Sequence, residues 1–564
     1  MARPPTRLLA GVALPLCLAI AGWSSVNNRA ASSATYVSHP SGGASEILRD
    51  SDGASFASPK AATPAKTPTP VCPPTPPTPI LKPSYLVLIV LDGARPGYFT
   101  QPGIPHIQAL RNNGTWYDNA MAGILESETP SGHATISTGS EPKQDGIPSF
   151  SWANANNTTV NLFSEAAVRQ GLMERVIAAS GAPTIASLVH KTTPAAKVVA
   201  LSGYKFYAAD ALGGPRADVV MYYGDRADGR FGPTGIPGHM PPKSLLNQPD
   251  LIVPSRNMAF PNENHLAMTL AARTFGTLHQ QVTLINLPDS DWPLGHPWGA
   301  NRDPKDVRVL MQAFDGDLGR LEDTYRKAGV LDKTLFVITA DHGFAPTFHR
   351  VPKSVISSAV QKAGTSILKD TYHTASYLWI RNATKAAAIA ATIAHKQNPY
   401  IQSVYFRSQT SQGPTYTRAT GSNLFLAPGM EAANQYLLQT FNGPSGPDIV
   451  VLFTENSAGV AGGQVTWKAD HGGADWEAQH VPLILSGPGV RRKHFSQWPA
   501  RLEDVAPTAL SLLGVPPTGM HGTILADSLR APTPDESNAQ AQLAVTLRPV
   551  IASLQAESRL EAQR

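Results

Sequence analysis

Residues 85–93 read Tyr85-Leu86-Val87-Leu88-Ile89-Val90-Leu91-Asp92-Gly93, and this stretch decides the fold class. It has seven apolar residues in a row, several of them β-branched, and it ends at an aspartate followed by a glycine. An apolar run without polar alternation is typical of a central strand that is covered on both faces. The stretch therefore predicts a strand in the interior of a layered α/β sheet.

The same design recurs along the chain. Comparable apolar runs lie at residues 198–201, 282–287, 334–340, 448–452 and 481–485. Amphipathic stretches that are typical of helices lie between them, for example at residues 304–328. Strands that alternate with helices predict an α/β fold with a doubly wound, mostly parallel central sheet and helices on both faces.

Length and composition fit one large α/β unit with insertions. Of the 564 residues, 42% are hydrophobic and 15% are charged, so most of the chain can bury a core. Two cysteines exclude a disulfide framework. The formal net charge is +5, but residues 1–82 hold seven Lys or Arg against three Asp or Glu. The remainder carries only about +1, so nucleic-acid binding is not expected.

The N-terminal segment, residues 1–34, predicts export. It combines Arg3 and Arg7 with a 16-residue apolar stretch and with small residues at Ser32-Ser33-Ala34, as a signal peptide does. The apolar stretch is short for a membrane span, which needs about 20 residues. An uncleaved anchor that tethers the protein to the membrane is the alternative. Both interpretations place the protein in the periplasm, at the cell surface or in the medium.

The rest of the chain divides into a linker, a folded unit and a tail. Residues 35–83 are rich in Pro, Thr and Ser, and ten of the 25 residues from 59 to 83 are proline. This composition predicts a disordered, semi-rigid spacer. The folded unit is predicted at 84–530, with an insertion at about 350–447 that forms a cap. The tail at 531–564 has a composition compatible with a helix.

Polar residues follow the predicted strands. Asp92, Asp289 or Asp291, and Asp341-His342 each come just after an apolar run. In open α/β sheets, ligands bind beyond the carboxyl ends of the strands. If the strands are parallel, these side chains converge on one edge, where carboxylate oxygens and an imidazole nitrogen are ligands that suit zinc.

Two further segments add histidines to this set. Asp291 and His296 are separated by a short loop with Pro and Gly, so both can close on one metal, although Asp289 competes with Asp291. His471 stands beside two glycines, where the backbone can approach a ligand closely. The neighbouring Asp470 is expected to orient that histidine. The other histidines, His133 among them, are expected to pack, to cap helices or to lie on the surface.

Thr129 is the candidate nucleophile. Pro130 suits the first position of a helix, and Gly139 suits its end. Thr129 then lies at the helix N-terminus, where free N–H groups and the helix dipole favour an anion or an alkoxide. The alternative is a threonine that only caps the helix.

At this point the chain resembles the alkaline phosphatase superfamily, and within it the threonine-nucleophile type I phosphodiesterase/nucleotide pyrophosphatase family. The resemblance runs from residue 85 to about 529, and its motifs stand in the expected order. They are Val90-Leu91-Asp92-Gly93-Ala94-Arg95, Thr129 with His133, Thr138-Gly139, Asp291 with His296, Ala340-Asp341-His342-Gly343, His471-Gly472 and residues 503–516.

The resemblance implies a cofactor of two Zn²⁺ ions and a set of ligands. One zinc takes Asp92, Thr129, Asp341 and His342, and the second takes Asp291, His296 and His471. It also implies a small phosphoester substrate and a phosphothreonine intermediate on Thr129.

The sequence departs from the family pattern at three places. The loop from Asp291 to His296 is one residue longer than usual. Phe150 stands where an asparagine often donates to a phosphate oxygen. Lys205 keeps the lysine of a Lys-x-Arg pair, but Tyr207 replaces its arginine.

The departures leave the substrate class divided between two interpretations. Lys205 is expected to bind a phosphoryl oxygen, which favours a monoester. The loss of the asparagine at Phe150 and of the arginine at Tyr207 favours a diester or pyrophosphate, in a more open and apolar pocket that Phe150, Trp152 and Trp292 line. The motif set as a whole favours the diester. Phosphate monoesterase activity is one alternative, and an inactive homologue that binds a phosphorylated ligand is another.

Overall fold

The structure is a computed structural model, and it describes residues 81–154, 156–256, 260–299, 304–396, 398–411, 413–421 and 426–561. These residues belong to one compact unit, Pro77–Arg564. The predicted export segment at 1–34 lies outside the described residues, as does all of the predicted linker except residues 81–83.

The strands of the described residues are β1 Tyr85–Leu91, β2 Gly114–Met121, β3 Ser151–Ala153, β4 Thr159–Asn161, β5 Val198–Ser202, β6 Val219–Asp225, β7 Phe231–Gly235, β8 Val282–Leu287, β9 Thr334–Thr339, β10 Ala345–Pro346, β11 His349–Pro352, β12 Ile367–Tyr372, β13 Ala375–Ile380, β14 Ile401–Thr410, β15 Gly413–Arg418, β16 Ile449–Phe453, β17 Ser457–Val460, β18 Ala469–Asp470, β19 Leu483–Ser486 and β20 His494–Arg501.

The α-helices of the described residues are α1 Pro105–Asn112, α2 Thr129–Thr138, α3 Pro142–Asp145, α4 Glu165–Arg169, α5 Leu172–Ser180, α6 Ile185–Thr192, α7 Phe206–Gly213, α8 Lys243–Leu246, α9 Glu263–Leu278, α10 Pro304–Lys327, α11 Lys353–Lys362, α12 Ala386–His395, α13 Met430–Gln439, α14 Trp476–Gln479, α15 Val505–Leu513 and α16 Pro534–Glu561.

The main sheet has nine strands in the order β20-β2-β19-β9-β1-β8-β5-β6-β7. β1 pairs in parallel with β8 and β9, and β5 pairs in parallel with β8 and β6. Residues 86–91 of β1 are completely buried, because layers cover both faces of this strand. The predicted α/β fold with a mostly parallel sheet is therefore confirmed.

The sequence predicts that the apolar runs form parallel strands of one sheet, but two of the runs pair differently. The run at 481–485 gives β19, which is antiparallel to both of its neighbours, β2 and β9. The run at 448–452 gives β16, which belongs to a second sheet. An apolar run reports burial on both faces, but strand direction depends on how the connection returns to the sheet.

The second sheet is antiparallel and has the order β12-β13-β16-β14-β15. Its strands lie between residues 367 and 453, so the sheet overlaps the predicted cap at about 350–447, and β16 lies just beyond that range. A separate group of buried apolar residues, including Val351, Ile389 and Val451, packs on it. The turn between β12 and β13 holds His373 and Thr374, and it reaches the loop after β18 through the hydrogen bond from Thr374 N to the carbonyl of His471, at 3.0 Å.

The parallel strands direct their carboxyl ends to one edge of the main sheet, as expected. Asp92 follows β1 directly, and Asp341 comes two residues after the end of β9. Asp291 follows β8 after a short 3₁₀ turn, Pro288–Ser290, and Lys205 lies between β5 and α7. This shared edge brings segments that are far apart in sequence into one place.

Among the described residues, no single helix is long and apolar enough to cross a membrane. One bent pair, Leu172–Ser180 with Ile185–Thr192 at 67°, meets the length and composition criteria when the two helices are taken together.

Candidate active site

Thr129 lies at the buried N-terminus of α2, with an exposed fraction of 2%. Pro130 follows it in the first turn, and Gly139 ends the helix with a φ of +57°. The helix begins one residue earlier than the sequence predicts, at Thr129 itself. The Thr129 Oγ1 hydroxyl donates toward Asp92 Oδ1 at 3.4 Å and accepts a hydrogen bond from Lys205 Nζ at 3.2 Å.

Asp341 and His342 stand directly against Thr129 and Asp92. Asp341 Oδ1 accepts hydrogen bonds from the backbone N–H of Gly93 at 3.0 Å and of His342 at 3.2 Å. His342 Nε2 lies 3.5 Å from both Asp92 Oδ1 and Asp341 Oδ2. These residues are completely buried apart from Thr129, so their polar atoms face one another rather than solvent.

Asp291, His296 and His471 form the neighbouring group. His296 Nε2 is 3.3 Å from Asp291 Oδ1, and His471 Nε2 is 4.0 Å from the same oxygen. The ring of His471 also stacks on that of His342, with centroids 3.6 Å apart. The two groups are therefore adjacent, and the structure brings together all seven residues that the sequence analysis named as metal ligands.

The histidines share one orientation. His296 Nδ1 faces the carbonyl of Ala469 at 3.2 Å, His342 Nδ1 that of Gly343 at 2.9 Å, and His471 Nδ1 that of Ser127 at 3.0 Å. A carbonyl oxygen only accepts, so the proton of each neutral ring sits on Nδ1. The lone pair on Nε2 then points into the cluster, as in a metal-binding histidine.

Within the part of the chain that the structure describes, three buried polar atoms of the cluster have no hydrogen-bond partner. They are Asp291 Oδ1, Asp341 Oδ2 and His342 Nε2. Buried polar groups are nearly always paired, and an unpaired one needs an explanation such as a bound ion. Ligand atoms of Asp291, His296 and His471 lie within 4.8 Å of one another, and so do those of Asp92, Asp291 and His342. The donor atoms therefore fit divalent metal ions.

The electrostatics of the site agree with a cation-binding role. Burial, followed by the charge of Asp341, raises the pKa of Asp92 to about 6, although Lys205 opposes the shift. Burial, followed by the charges of His342 and His296, holds the pKa of His471 well below its usual value. The charges of Asp92 and Asp341 repel each other, and a bound cation would relieve this repulsion. A neutral imidazole, the form favoured for His471, is the form that binds metal.

Lys205 connects the two groups. Its ammonium lies 2.6 Å from Asp291 Oδ2 and 2.9 Å from Asp92 Oδ1, and the side chain is 2% exposed. Burial by itself lowers a lysine pKa, but the charges of Asp291 and Asp92 outweigh it and raise the pKa of Lys205 well above its usual value. The amine is therefore a fixed cation that touches the candidate nucleophile, rather than a solvated surface lysine.

Contacts with Asn264 show which of Asp289 and Asp291 faces the cluster. Asp289 Oδ2 accepts a hydrogen bond from the backbone N–H of Asn264 in α9 at 2.9 Å, and Asp289 N donates to Asn264 Oδ1 at 3.0 Å. Burial raises the pKa of Asp289 to about 7. Asp289 therefore joins β8 to α9, and it is Asp291 that faces the cluster.

His133 lies in the site, whereas the sequence analysis assigned it to packing, capping or the surface. It follows Thr129 by one helical turn, its Nδ1 is 2.7 Å from the carbonyl of Thr129, and the same atom lies 3.3 Å from Asp341 Oδ2. Its Nε2 accepts from Asn286 Nδ2 at 2.9 Å, and Asn286 also donates to Asp92 Oδ2 at 2.8 Å. Because that lone pair is already used, His133 orients the carboxylates instead of binding metal.

His373 was also missed by the sequence analysis. Its Nδ1 lies 2.9 Å from Asp470 Oδ1, and its Nε2 lies 2.6 Å from Glu128 Oε1. Burial opposes protonation, but Asp470 and Glu128 outweigh it and raise the pKa of His373 well above its usual value. Asp470 also accepts from the backbone N–H of His471 at 2.9 Å, in agreement with the orienting role expected of it.

Phe150 and Tyr207, the two positions where an asparagine and an arginine are expected from the resemblance, are neighbours in the fold. Phe150 and Tyr207 pack edge to face with ring centroids 4.8 Å apart, and the exposed Phe163 stacks on Phe150 at 3.8 Å. Trp152, which the sequence analysis placed in the pocket lining, is buried with an exposed fraction of 2%. The ring of Trp292 lies 6.3 Å from that of His296. Phe150, Phe163 and Tyr207 thus form one aromatic surface.

Ser149 and Asn154, two polar residues near Phe150, make hydrogen bonds with other groups. Ser149 Oγ donates to Glu128 Oε2 at 3.0 Å, and the backbone N–H of Ser151 donates to Ser149 Oγ at 3.3 Å. Asn154 Oδ1 accepts from two backbone N–H groups of its own turn. These contacts engage the Ser149 hydroxyl and the Asn154 side-chain oxygen, and they hold the segment in place.

Comparisons with known proteins agree with this geometry. A family model described as type I phosphodiesterase / nucleotide pyrophosphatase matches residues 86–452. The alkaline phosphatase PhoK from a Sphingomonas species is 23% identical over 496 residues, which cover 73% of this chain and 84% of that protein.

Solved structures share the fold. The crystal structure of the wild-type alkaline phosphatase PafA has a TM-score of 0.60 at 17% identity and covers 80% of this chain and 100% of that one. Human ectonucleotide pyrophosphatase / phosphodiesterase 5 has a TM-score of 0.55 at 14% identity, with 79% and 100% covered. The family match spans more than half of the chain, and the fold and the cluster of buried acids and histidines agree with it. The chain therefore belongs to the type I phosphodiesterase / nucleotide pyrophosphatase family of the alkaline phosphatase superfamily, and it is a phosphoester hydrolase.

Proposed function

We propose that this chain hydrolyses phosphodiesters or nucleotide pyrophosphates with two zinc ions and a phosphothreonine intermediate on Thr129. The observation that carries the substrate class is the contact between Phe150 and Tyr207 at 4.8 Å. A dianionic monoester gains most from several donors around its phosphoryl oxygens, whereas a diester has one charge fewer and a second organic group. An aromatic surface at these two positions favours the diester.

Seven residues would hold the metal. Asp92, Thr129, Asp341 and His342 are the ligands proposed for one ion, and Asp291, His296 and His471 for the other. Oxygen and imidazole nitrogen donors suit zinc. When bound, two such ions neutralise charge on the transferring phosphoryl group and make nearby hydroxyl groups more acidic.

The chain's own residues supply the nucleophile and the orientation of the substrate. Thr129 Oγ1 attacks phosphorus, the bond from phosphorus to the leaving oxygen breaks, and a phosphothreonine forms. The N-terminus of α2 and the ammonium of Lys205 lie beside this oxygen and stabilise the negative charge on the transferred group. Water then cleaves the phosphothreonine and regenerates Thr129.

A phosphate monoesterase is the second candidate, and Lys205 is the observation that favours it. The buried ammonium lies 3.2 Å from Thr129 Oγ1, where it can contact an oxygen of the bound phosphate. PhoK and PafA are alkaline phosphatases by name. A structure of inactive murine ectonucleotide pyrophosphatase / phosphodiesterase 5, which shares the fold, is a complex with AMP.

A comparison of two chromogenic substrates tests the proposal. The zinc-reconstituted protein is assayed with bis(p-nitrophenyl) phosphate and p-nitrophenyl phosphate, with zinc content measured alongside. We expect two equivalents of zinc, a kcat/KM at least about tenfold higher for the diester, and acid-trapped phosphate on Thr129 by mass spectrometry. A higher kcat/KM for the monoester would favour the second candidate. Bound zinc without turnover of either substrate would identify an inactive, ligand-binding homologue.

The exported location is also part of this proposal. It rests on the signal-like composition of residues 1–34 and the Pro-rich composition of residues 59–83. A fusion of residues 1–83 to a reporter that is active only outside the cytoplasm would test it. Recovery of the reporter in the membrane fraction would favour a tether, and recovery in the soluble exported fraction would favour cleavage.

A further inference from the structure

The imidazole of His373 stands between two buried carboxylates that each precede a residue of the site. Glu128, on one side of the ring, comes directly before Thr129 in sequence, and Asp470, on the other side, comes directly before His471. His373 belongs to the turn between β12 and β13 of the second sheet. One side chain from that sheet therefore joins the nucleophile segment to the segment of a proposed metal ligand.

The geometry argues against a third metal site at this place. Ligand atoms of His373, Asp470 and His471 lie within 4.8 Å of one another, which is a spacing that a metal can use. Both ring nitrogens of His373 already face carboxylate oxygens, at 2.9 and 2.6 Å. An ionised carboxylate only accepts hydrogen bonds, so both nitrogens donate a proton and neither has a lone pair for an ion.

The contacts around this bridge are strong on both sides. The other oxygen of Glu128 accepts from Ser149 Oγ at 3.0 Å and from Phe150 N at 2.7 Å. On the opposite side, Thr374 N donates to the carbonyl of His471, and Tyr377 OH donates to that of Gly472 at 2.9 Å. The ring of His373 also lies parallel to that of His471, with centroids 5.3 Å apart.

We propose that His373 is a positioning residue that fixes the distance between Thr129 and His471. This inference rests on the proposed function, because it matters only if Thr129 attacks and His471 binds metal. Attack in line with the leaving group tolerates little displacement, and a shift of about 1 Å in a reacting group costs on the order of 100-fold in rate. Without the imidazole, two buried carboxylates lose their shared donor, and the segments that carry Thr129 and His471 separate.

A single substitution removes one half of the bridge. In His373→Gln the amide nitrogen can donate to one carboxylate, but the amide oxygen faces the other. The loss of a group that orients metal ligands lowers activity by roughly 10- to 100-fold, and we expect kcat with bis(p-nitrophenyl) phosphate to fall within this range. KM is expected to change less than about threefold, because His373 does not contact the substrate in this proposal.

His239→Gln is the matched control. His239 is also buried and lies 2.8 Å from a carboxylate, Glu174, but it follows β7, the edge strand of the main sheet. We expect its kcat to stay at the wild-type value even if its melting temperature falls. A His373→Ala variant supplies a second readout. Added imidazole can fill the cavity that this substitution leaves and can form both hydrogen bonds again, so it should restore part of kcat.

The measured kcat, zinc content and melting temperature distinguish a positioning role of His373 from metal binding and from a purely structural role. A lowered kcat at full zinc content, with partial rescue by imidazole, would support the bridge. Loss of zinc from His373→Gln with an unchanged kcat per bound zinc would show that His373 binds metal, and a lowered melting temperature with an unchanged kcat would show a structural role. Either result would overturn the inference. Absence of zinc and of turnover in the wild-type protein would instead reject the proposed function.

Discussion

Gly132 lies against the backbone of Asp341, so that a Cβ atom built on Gly132 would stand 2.7 Å from Asp341 Cβ and 2.8 Å from its carbonyl oxygen. The helix that carries Thr129 therefore packs directly on the end of the strand that carries Asp341 and His342. No other residue type leaves this distance free. The contact sets how closely the nucleophile approaches the neighbouring acid.

We expect Gly132→Ala to disrupt both stability and activity. Overpacking against rigid backbone costs about 1–3 kcal/mol of unfolding free energy, and the displaced helix moves Thr129 away from Asp341. Gly276→Ala is the control, because Gly276 is also helical but no atom lies within 4 Å of its added Cβ. It should leave stability unchanged or raise it by up to about 1 kcal/mol. Urea unfolding measures the stability of each variant, and diesterase assays measure its activity. Equal effects of Gly132→Ala and Gly276→Ala would show that the contact between Gly132 and Asp341 is not tight.

Thr129→Ala is expected to abolish turnover while the fold and the metal remain. Thr129 is one proposed ligand among four on its ion, so zinc should bind more weakly but still bind. Thr129→Ser keeps a hydroxyl and should retain part of the activity. Rates, zinc content and circular dichroism are compared for the three proteins. Near-normal activity of the alanine variant would mean that water attacks directly and that Thr129 is only the first residue of α2.

Lys205→Ala should separate the substrate classes. The ammonium beside Thr129 Oγ1 meets a phosphoryl oxygen that carries more charge in a monoester than in a diester. A hydrogen bond to a charged group contributes about 1.5–3 kcal/mol, or roughly one to two decades in rate. We expect kcat/KM for p-nitrophenyl phosphate to fall by that amount, and that for bis(p-nitrophenyl) phosphate to fall clearly less. Equal losses would show that Lys205 does not discriminate.

Asp145 should make the protein less stable as the pH rises. Burial raises the pKa of this carboxyl to about 8, and its Oδ2 has no hydrogen-bond partner among the residues that the structure describes. Between its ordinary pKa and pH 8 the folded state holds a proton that the unfolded state releases. Stability therefore declines with increasing pH by up to about 1.4 kcal/mol per unit across that window.

Asp145→Asn removes this titration, so the stability of the variant should decline less with increasing pH than that of the wild type. The amide oxygen can still accept from the N–H of Ile147, which Asp145 Oδ1 now does at 2.8 Å. The variant should unfold at a higher temperature than the wild type at pH 9 and at a similar temperature at pH 4. Thermal unfolding at both values checks this, and parallel shifts at the two pH values would show that Asp145 does not titrate in this range.

Much of the fold was predictable because it depends on local apolar runs. The bounds of β1 and β8 agree with the predicted runs residue by residue, and α10 ends one residue before the predicted stretch does. The pairing of β16 and β19 was not predictable in this way. Both are apolar on both faces, and the direction in which a strand joins a sheet is decided by connections of many residues.

The sequence by itself determined that Asp92, Asp341 and His342 come just after buried strands, and these residues meet in the site. Only the tertiary structure decided that Asp291 rather than Asp289 faces the cluster, that His133 and His373 orient carboxylates, and that Phe150 touches Tyr207. Each of these depends on the direction of a side chain relative to an element that is distant along the chain. Motif spacing specifies the order of such residues, whereas the register and packing of the elements specify which of their atoms meet.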